Sequence, residues 1–149
     1  MDGKHYQEFG VGETFVSSWR YISESDLRRF LSLTGIQEPL FESQQFLEAE
    51  TDHETWIVPG YLTLSYSLGL FSRSGWLDGT GLAMLGAEEL EFTNPVLVGD
   101  EIRTRVEVTD KTPTSSDRGG IVVLQWEITT QNDDTVIEMT SSHFIKKAD

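Results

Sequence analysis

One short segment of the sequence has a histidine between two acidic residues. Asp52, His53 and Glu54 are consecutive and lie upstream of an apolar segment. An imidazole beside a carboxylate can take up and release a proton in acid–base catalysis. Neighbours in sequence need not face each other, however, and most loop histidines and aspartates are solvated. Asp52 and His53 are therefore candidate catalytic residues, and a solvated loop is the alternative.

A second candidate base stands alone. Glu38 lies close in sequence to the apolar residues Ile36 and Phe41. Burial beside these side chains would make its carboxylate a stronger base, which suits a general base in catalysis. The alternative is an exposed loop carboxylate, which is the ordinary state of a glutamate.

The remaining reactive side chains give weaker signals. Thr63 and Ser65 could contact a ligand, but small hydroxyls in an apolar segment often only pack. His5 and His143 are interpreted as surface or strand residues. The sequence contains no cysteine, which excludes a disulfide scaffold, a thiolate zinc site and a cysteine nucleophile. No spacing typical of metal ligands or phosphate loops occurs either, so we expect no metal and no cofactor.

Length and charge narrow the function classes. The 149 residues suit one domain that buries a core, and no apolar run approaches the ~20 residues of a membrane helix. The first ten residues lack the apolar region of a secretory signal, so we expect a cytoplasmic protein that binds no membrane. With 25 acidic and 11 basic residues, the net charge is −14. A chain this acidic repels phosphate backbones, so nucleic acid is not an expected partner.

The elements that must position these residues begin with a strand and a helix. Residues 14–21 are rich in β-branched and aromatic side chains, which predicts a strand. Ser23 and Asp26 have the spacing of a capping box, and Gly35 is a typical C-terminal stop, so we predict a helix between them. A further short helix is expected around residues 44–50, within an otherwise irregular segment.

The residue pattern of segment 59–71 fits both a strand and a helix. Its apolar residues alternate as in a strand, yet several also recur at helical spacing, and Pro59 favours a helix start. The second half of the chain is predicted to form β-strands separated by turn residues. The order predicts an α+β fold, and the strand candidates are 82–93, 102–109, 121–131 and 135–147.

Three segments in order resemble the MaoC-like dehydratase family, which includes the (R)-specific enoyl-CoA hydratases. They are FLSLTG at 30–35 with the following Pro39-Leu40, IVPGYLTLS at 57–65, and LEFTNPVLVGD at 90–100. The resemblance implies a single hotdog domain over residues 1–149. In that fold an antiparallel sheet wraps one long central helix, which the resemblance assigns to residues 61–73.

The departures from the family pattern concern its catalytic pair. The family motif reads Thr-Gly-Asp-x-Asn-Pro-Leu-His, and its Asp and His activate the water that is added to an enoyl group. Here Ile36 stands in place of the Asp and Phe41 in place of the His, and neither side chain can transfer a proton. Glu38 replaces the Asn, and Pro59 replaces the His that usually precedes Gly60.

The resemblance also implies a ligand and a partner. In the family, the region of Gly60 receives a thioester carbonyl, because free amides at a helix N-terminus can hold a developing oxyanion. The alternative is that Gly60 only permits tight packing. We expect an acyl-CoA or acyl-carrier-protein thioester as ligand, and a homodimer or a heterodimer with a related hotdog subunit. The expected substrate-binding residues are Ile36, Phe41, Gly60, Tyr61, Thr63 and Ser65.

Two functions follow from these observations. The first is an acyl-thioester-binding protein that lacks the catalytic pair, either non-catalytic or the partner of a subunit that carries the pair. The alternative is an active hydratase or dehydratase of enoyl or 3-hydroxyacyl thioesters, whose acid–base group has moved to a residue such as Glu38.

Overall fold

The computed structural model describes residues 2–149 and shows a sheet of six strands around one helix. After a 3-10 turn at Tyr6–Glu8, the chain forms β1 (Thr14–Val16), β2 (Arg20–Tyr21), α1 (Glu24–Thr34), α2 (Pro39–Glu42), α3 (Gln44–Glu50), α4 (Gly60–Ser72), β3 (Gly81–Phe92), β4 (Glu101–Thr112), β5 (Gly119–Thr130) and β6 (Thr135–Lys146).

The sheet is antiparallel throughout. Its order is β1-β4-β5-β6-β3, and β2 also pairs with β4, so among the described residues β3 is an edge strand bonded to β6 alone. On β4, β5 and β6 alternate residues are buried, as expected for strands with one face on a core. The α+β hotdog architecture implied by the family resemblance is therefore confirmed.

Helix α4 packs against one face of the sheet. Leu62, Leu70 and Phe71 are buried on it, and the Phe71 ring meets the Trp126 ring of β5 edge-on at 5.0 Å. A helix buried on several sides needs apolar residues all around, which is why its sequence also fits the alternation of a strand. The assignment of residues 61–73 to the central helix is confirmed, with bounds one residue earlier.

The capping residues in the sequence predicted both ends of α1 correctly. The Ser23 hydroxyl accepts a hydrogen bond from the Asp26 amide at 3.1 Å, and the Asp26 carboxylate accepts one from the Ser23 amide at 2.9 Å. Gly35 ends the helix in the left-handed region with φ 78°. The short helix expected at 44–50 is α3, with the predicted bounds.

Two local expectations were incomplete. The strand predicted over 14–21 is interrupted after Val16, where the Ser17 hydroxyl accepts a hydrogen bond from the Thr104 amide of β4 at 2.9 Å. This side-chain bond takes the place of a regular ladder bond, so β1 and β2 are separate. The short helix α2 was not predicted, and Pro39 at its first position fits a helix start.

Candidate functional site

A cavity of about 220 Å³ opens at the N-terminus of α4. We call it the α4 cavity. Its walls come from the helix start, from the end of β3 with the loop that follows it, and from the start of β6. The lining residues are Val58, Gly60, Tyr61, Thr63, Phe92, Asn94, Pro95, Val96, Val136 and Ile137. The surface is therefore mostly apolar, and no carboxylate or imidazole lines it.

Thr63 lines this cavity and carries a buried hydroxyl without a hydrogen-bond partner in the described chain. The residue is only 1% exposed, and its Oγ1 has no hydrogen-bond partner among residues 2–149. A buried hydroxyl without a partner costs about 1–3 kcal/mol. Because Oγ1 is fully enclosed, a ligand recovers that free energy only if the cavity wall shifts to expose the hydroxyl.

The first amides of α4 are also unpaired. The amides of Leu62 and Thr63 donate to the carbonyl of Pro59, at 3.0 and 3.4 Å. Those of Gly60 and Tyr61 have no acceptor in the described chain, as is usual at a helix start. Together with the helix dipole, they make this end of the cavity electropositive.

Gly60 has a clear packing role. A Cβ atom added at Gly60 would lie 2.4 Å from the ring of Phe92. The absence of a side chain lets this ring lie against the helix start, and it meets the Tyr61 ring at 5.7 Å. The structure therefore supports tight packing at Gly60, and its role toward a carbonyl oxygen stays a prediction.

The other expected binding residues lie elsewhere in this chain. Ile36 and Phe41 pack with Leu27 and Leu31 of α1 in a second apolar cluster, outside the α4 cavity. Ser65 is exposed, and its hydroxyl donates to the Tyr61 carbonyl at 2.7 Å. The fold thus brings together Gly60, Tyr61 and Thr63 at one cavity, whereas contact of Ile36, Phe41 and Ser65 with a ligand stays a prediction.

Comparison with known proteins identifies the family. The MaoC like domain matches residues 8–129. The chain belongs to the MaoC-like domain family. The (R)-specific enoyl-CoA hydratase of Aeromonas caviae is 36% identical over 103 residues, which are 69% of this chain and 73% of that protein.

Two further comparisons show what share of each similar protein this MaoC-like domain matches. Protein MaoC of Klebsiella aerogenes is 29% identical over 109 residues, or 73% of this chain, and the match covers 32% of its own length. The chain therefore spans about a third of that relative. The structure of the monoamine oxidase regulatory protein from Archaeoglobus fulgius is 25% identical, covers 100% of this chain and 98% of its own, and superposes with a TM-score of 0.91.

The candidate bases of this MaoC-like chain do not converge on the α4 cavity. Glu38 is exposed at the residue before α2, which agrees with the interpretation of an exposed loop carboxylate and not with burial. The reason is that α2 turns Phe41 inward while its first turn faces solvent. Asp52 is exposed and His53 is half-buried, and no hydrogen bond joins their side chains in the described structure. None of the three lines the cavity.

Sequence reasoning underestimated His143. It lies on β6 as expected, but it is buried rather than on the surface. Its Nε2 lies 2.7 Å from the Ser141 hydroxyl oxygen, and that oxygen accepts a hydrogen bond from the Trp126 indole at 2.7 Å. Burial lowers the pKa of His143 to about 4. The alternation along β6 was the signal, since it places His143 on the same face as the buried Ile137.

Residues 2–149 hold no group of three or more His, Asp or Glu side chains placed to bind a metal ion. In the same part of the chain, no helix has the length and apolar character needed to cross a bilayer.

Proposed function

We propose that this chain binds acyl thioesters, carried by coenzyme A or an acyl carrier protein, in the α4 cavity and does not hydrate them by itself. One observation carries the proposal: the free amides of Gly60 and Tyr61 lie at the helix start that lines the cavity, while the lining has no carboxylate or imidazole. Membership of the MaoC-like family supports the thioester class, since the Aeromonas relative is an enoyl-CoA hydratase.

Binding rests on the polar end of the cavity. A thioester carbonyl oxygen at the start of α4 accepts hydrogen bonds from the free amides of Gly60 and Tyr61. The helix dipole favours the partial negative charge on that oxygen. The Thr63 hydroxyl, which lacks a partner in the described chain, supplies a further donor once the ligand displaces the wall that encloses it. The first carbons of the acyl chain then contact Val96 and Ile137.

Hydration requires two proton transfers that the cavity does not support. A base must take a proton from the attacking water, and an acid must give one to carbon. Such groups typically contribute ~10²–10⁴-fold each to the rate. Ile36 and Phe41 can do neither. The alternative, an acid–base role for Glu38, loses support because the carboxylate is exposed and outside the cavity.

The edge strand supports a paired assembly. Every residue of β3 is exposed or half-buried over 12 positions, and Leu82, Met84 and Leu85 are 43%, 47% and 54% exposed. A long apolar edge is normally covered, because its free amides and carbonyls pair with another strand. We propose that β3 pairs with a second hotdog subunit, either a copy of this chain or a related chain that carries the Asp/His pair.

A binding and turnover experiment tests the proposal. Calorimetry with crotonyl-CoA and octanoyl-CoA should show binding, while loss of the enoyl absorbance of crotonyl-CoA stays at background. Thr63→Val removes only the hydroxyl. It should weaken binding roughly tenfold while raising the stability of the free protein by about 1 kcal/mol, because the unpaired group is gone.

The matched control is Ser72→Ala at the exposed far end of the same helix, which should leave thioester affinity unchanged. Absence of binding to both thioesters would rule out the thioester site. Robust turnover by the unmodified chain, abolished by Glu38→Gln, would establish the alternative of an active hydratase with a displaced base.

A further inference from the structure

Positive charge gathers on one flank of α4, although the chain as a whole carries a net charge of −14. Arg20 and Arg73 both line a cavity of about 320 Å³ between β2 and the second half of α4. A neighbouring cavity of about 290 Å³ shares Arg20 and Tyr66 with it and adds Arg29 and Asp26. We call the two together the arginine groove. It shares no lining residue with the α4 cavity, and none of its lining residues belongs to β3.

The carboxylate of this groove does not neutralise its arginines. Among the described residues that line the groove, Asp26 is the one acidic side chain. It is 4% exposed, and its Oδ1 accepts hydrogen bonds from Arg29 at 3.1 Å and from Arg20 at 3.4 Å. Its Oδ2 accepts one from the Ser23 amide at 2.9 Å. Three guanidinium groups and one carboxylate, with Arg73 as the third cation, leave a surplus of two positive charges that attracts anions.

Two of the arginines can reach an anion in the same cavity. The Arg20 guanidinium lies 4.5 Å from the centre of the Tyr66 ring, and this contact holds it in place. Its bond to Asp26 is long, so most of its five N–H groups stay available to a ligand. Arg73 is exposed, and its side chain has no hydrogen-bond or ion-pair partner among residues 2–149. As the C-cap residue it also offsets the negative end of the α4 dipole.

The walls beside the arginines define the rest of the ligand. We propose that the arginine groove binds a phosphate monoester, with its phosphate group between Arg20 and Arg73 and its apolar part on Phe30 and Leu33 of α1. Guanidinium groups recognise phosphate oxygens through paired hydrogen bonds, and two of them match the charge of about −2 that a phosphate monoester approaches at neutral pH. Phe30 and Leu33 line the adjoining part of the groove, and Leu33 is 84% exposed. The site does not depend on the thioester site.

Calorimetry with three small probes tests the two halves of this ligand. Hexyl phosphate carries both halves, inorganic phosphate lacks the alkyl chain, and hexan-1-ol lacks the charge. Hexyl phosphate should bind most tightly, inorganic phosphate more weakly and hexan-1-ol not measurably. Raising NaCl from about 0.05 M to 0.5 M should weaken binding of hexyl phosphate, because salt screens the guanidinium groups. Equal affinity for hexyl phosphate and hexan-1-ol would overturn the proposal. Equal affinity for the two phosphates would overturn the apolar half of it.

Variants of equal charge locate the site. Arg73→Gln and Arg20→Gln should each weaken hexyl phosphate binding roughly tenfold. The matched control is Arg118→Gln in the exposed loop before β5, which removes the same charge and should leave the affinity unchanged. An equal loss in this control would overturn the proposal, because the overall charge of the chain would then govern binding.

The test stays decisive if one variant does not fold. Arg20 contacts Tyr66 and Asp26, whereas Arg73 is exposed, so Arg73→Gln should fold even where Arg20→Gln does not. Urea unfolding of each variant checks this directly. Failure of the unmodified protein to bind hexyl phosphate at low salt would overturn the proposal. An unchanged affinity in a folded Arg73→Gln protein would do the same.

Discussion

Replacing His143 by phenylalanine should make the protein markedly less sensitive to acid. Burial lowers the pKa of His143 from 6.5 to about 4, so the unfolded chain takes up a proton at a pH where the folded chain does not. The unfolded state therefore gains free energy as the pH falls below the unfolded pKa. Stability conferred by the neutral ring is complete above that value and is lost progressively down to the folded pKa.

The magnitude follows from the two pKa values. At pH 5.0 the unfolded histidine is almost fully protonated and the folded one is almost fully neutral, which corresponds to a loss of about 2 kcal/mol relative to pH 7.5. The side-chain partner of His143, Ser141, is neutral. Burial is the cause of the lowered pKa, and no charge among residues 2–149 offsets it.

Urea unfolding followed by tryptophan fluorescence measures this effect. The free energy of unfolding is determined at pH 7.5 and 5.0 for the unmodified protein and for His143→Phe, at one protein concentration. The drop between the two pH values should be about 2 kcal/mol smaller for the variant. Packing changes in the variant cancel, because each protein is compared with itself. His143→Gln, which also cannot titrate, should give the same difference.

The reasoning would be refuted by a difference under about 0.5 kcal/mol, since His143 would then titrate alike in the folded and unfolded states. A larger acid sensitivity in the variant would contradict the sign of the shift.

Three further changes test other parts of the fold. Asp26→Ala removes the capping carboxylate of α1, which is 4% exposed, and should cost about 2 kcal/mol in urea unfolding, whereas Glu24→Ala in the exposed first turn should cost under ~0.5 kcal/mol. Leu85→Asp on β3 should lower the mass measured by light scattering toward 16.8 kDa, and Leu33→Asp, at a residue 84% exposed on α1, should not. An unchanged mass for Leu85→Asp would argue against pairing through β3. Raising NaCl from about 0.1 M to 1 M should raise the thermal midpoint, because the ions screen repulsion within a chain of net charge −14; equal midpoints would count against that view.

Local signals in the sequence were sufficient to predict the helix ends and most of the strands. The bonds between Ser23 and Asp26 span three residues, and the left-handed turn at Gly35 involves a single residue, so both could be predicted from type and spacing. The alternation of buried residues on β4, β5 and β6 likewise depends only on the two-residue period of a strand. The replacement of the family's Asp and His by Ile36 and Phe41 stays a prediction from the sequence, because it rests on residue identity alone.

The tertiary structure decided what each candidate residue faces. The exposure of Glu38 depends on how α2 packs, and the missing partner of Thr63 depends on which residues of β3 and β6 close the cavity. From the sequence, His143 is an ordinary strand residue. In the structure, the pairing of β5 with β6 places the Trp126 indole within hydrogen-bond distance of Ser141, two residues before His143. The free edge of β3 follows from the strand order, which no local pattern contains. Period and propensity act over a few residues, whereas burial and hydrogen-bond partners are set by contacts between residues far apart in the chain.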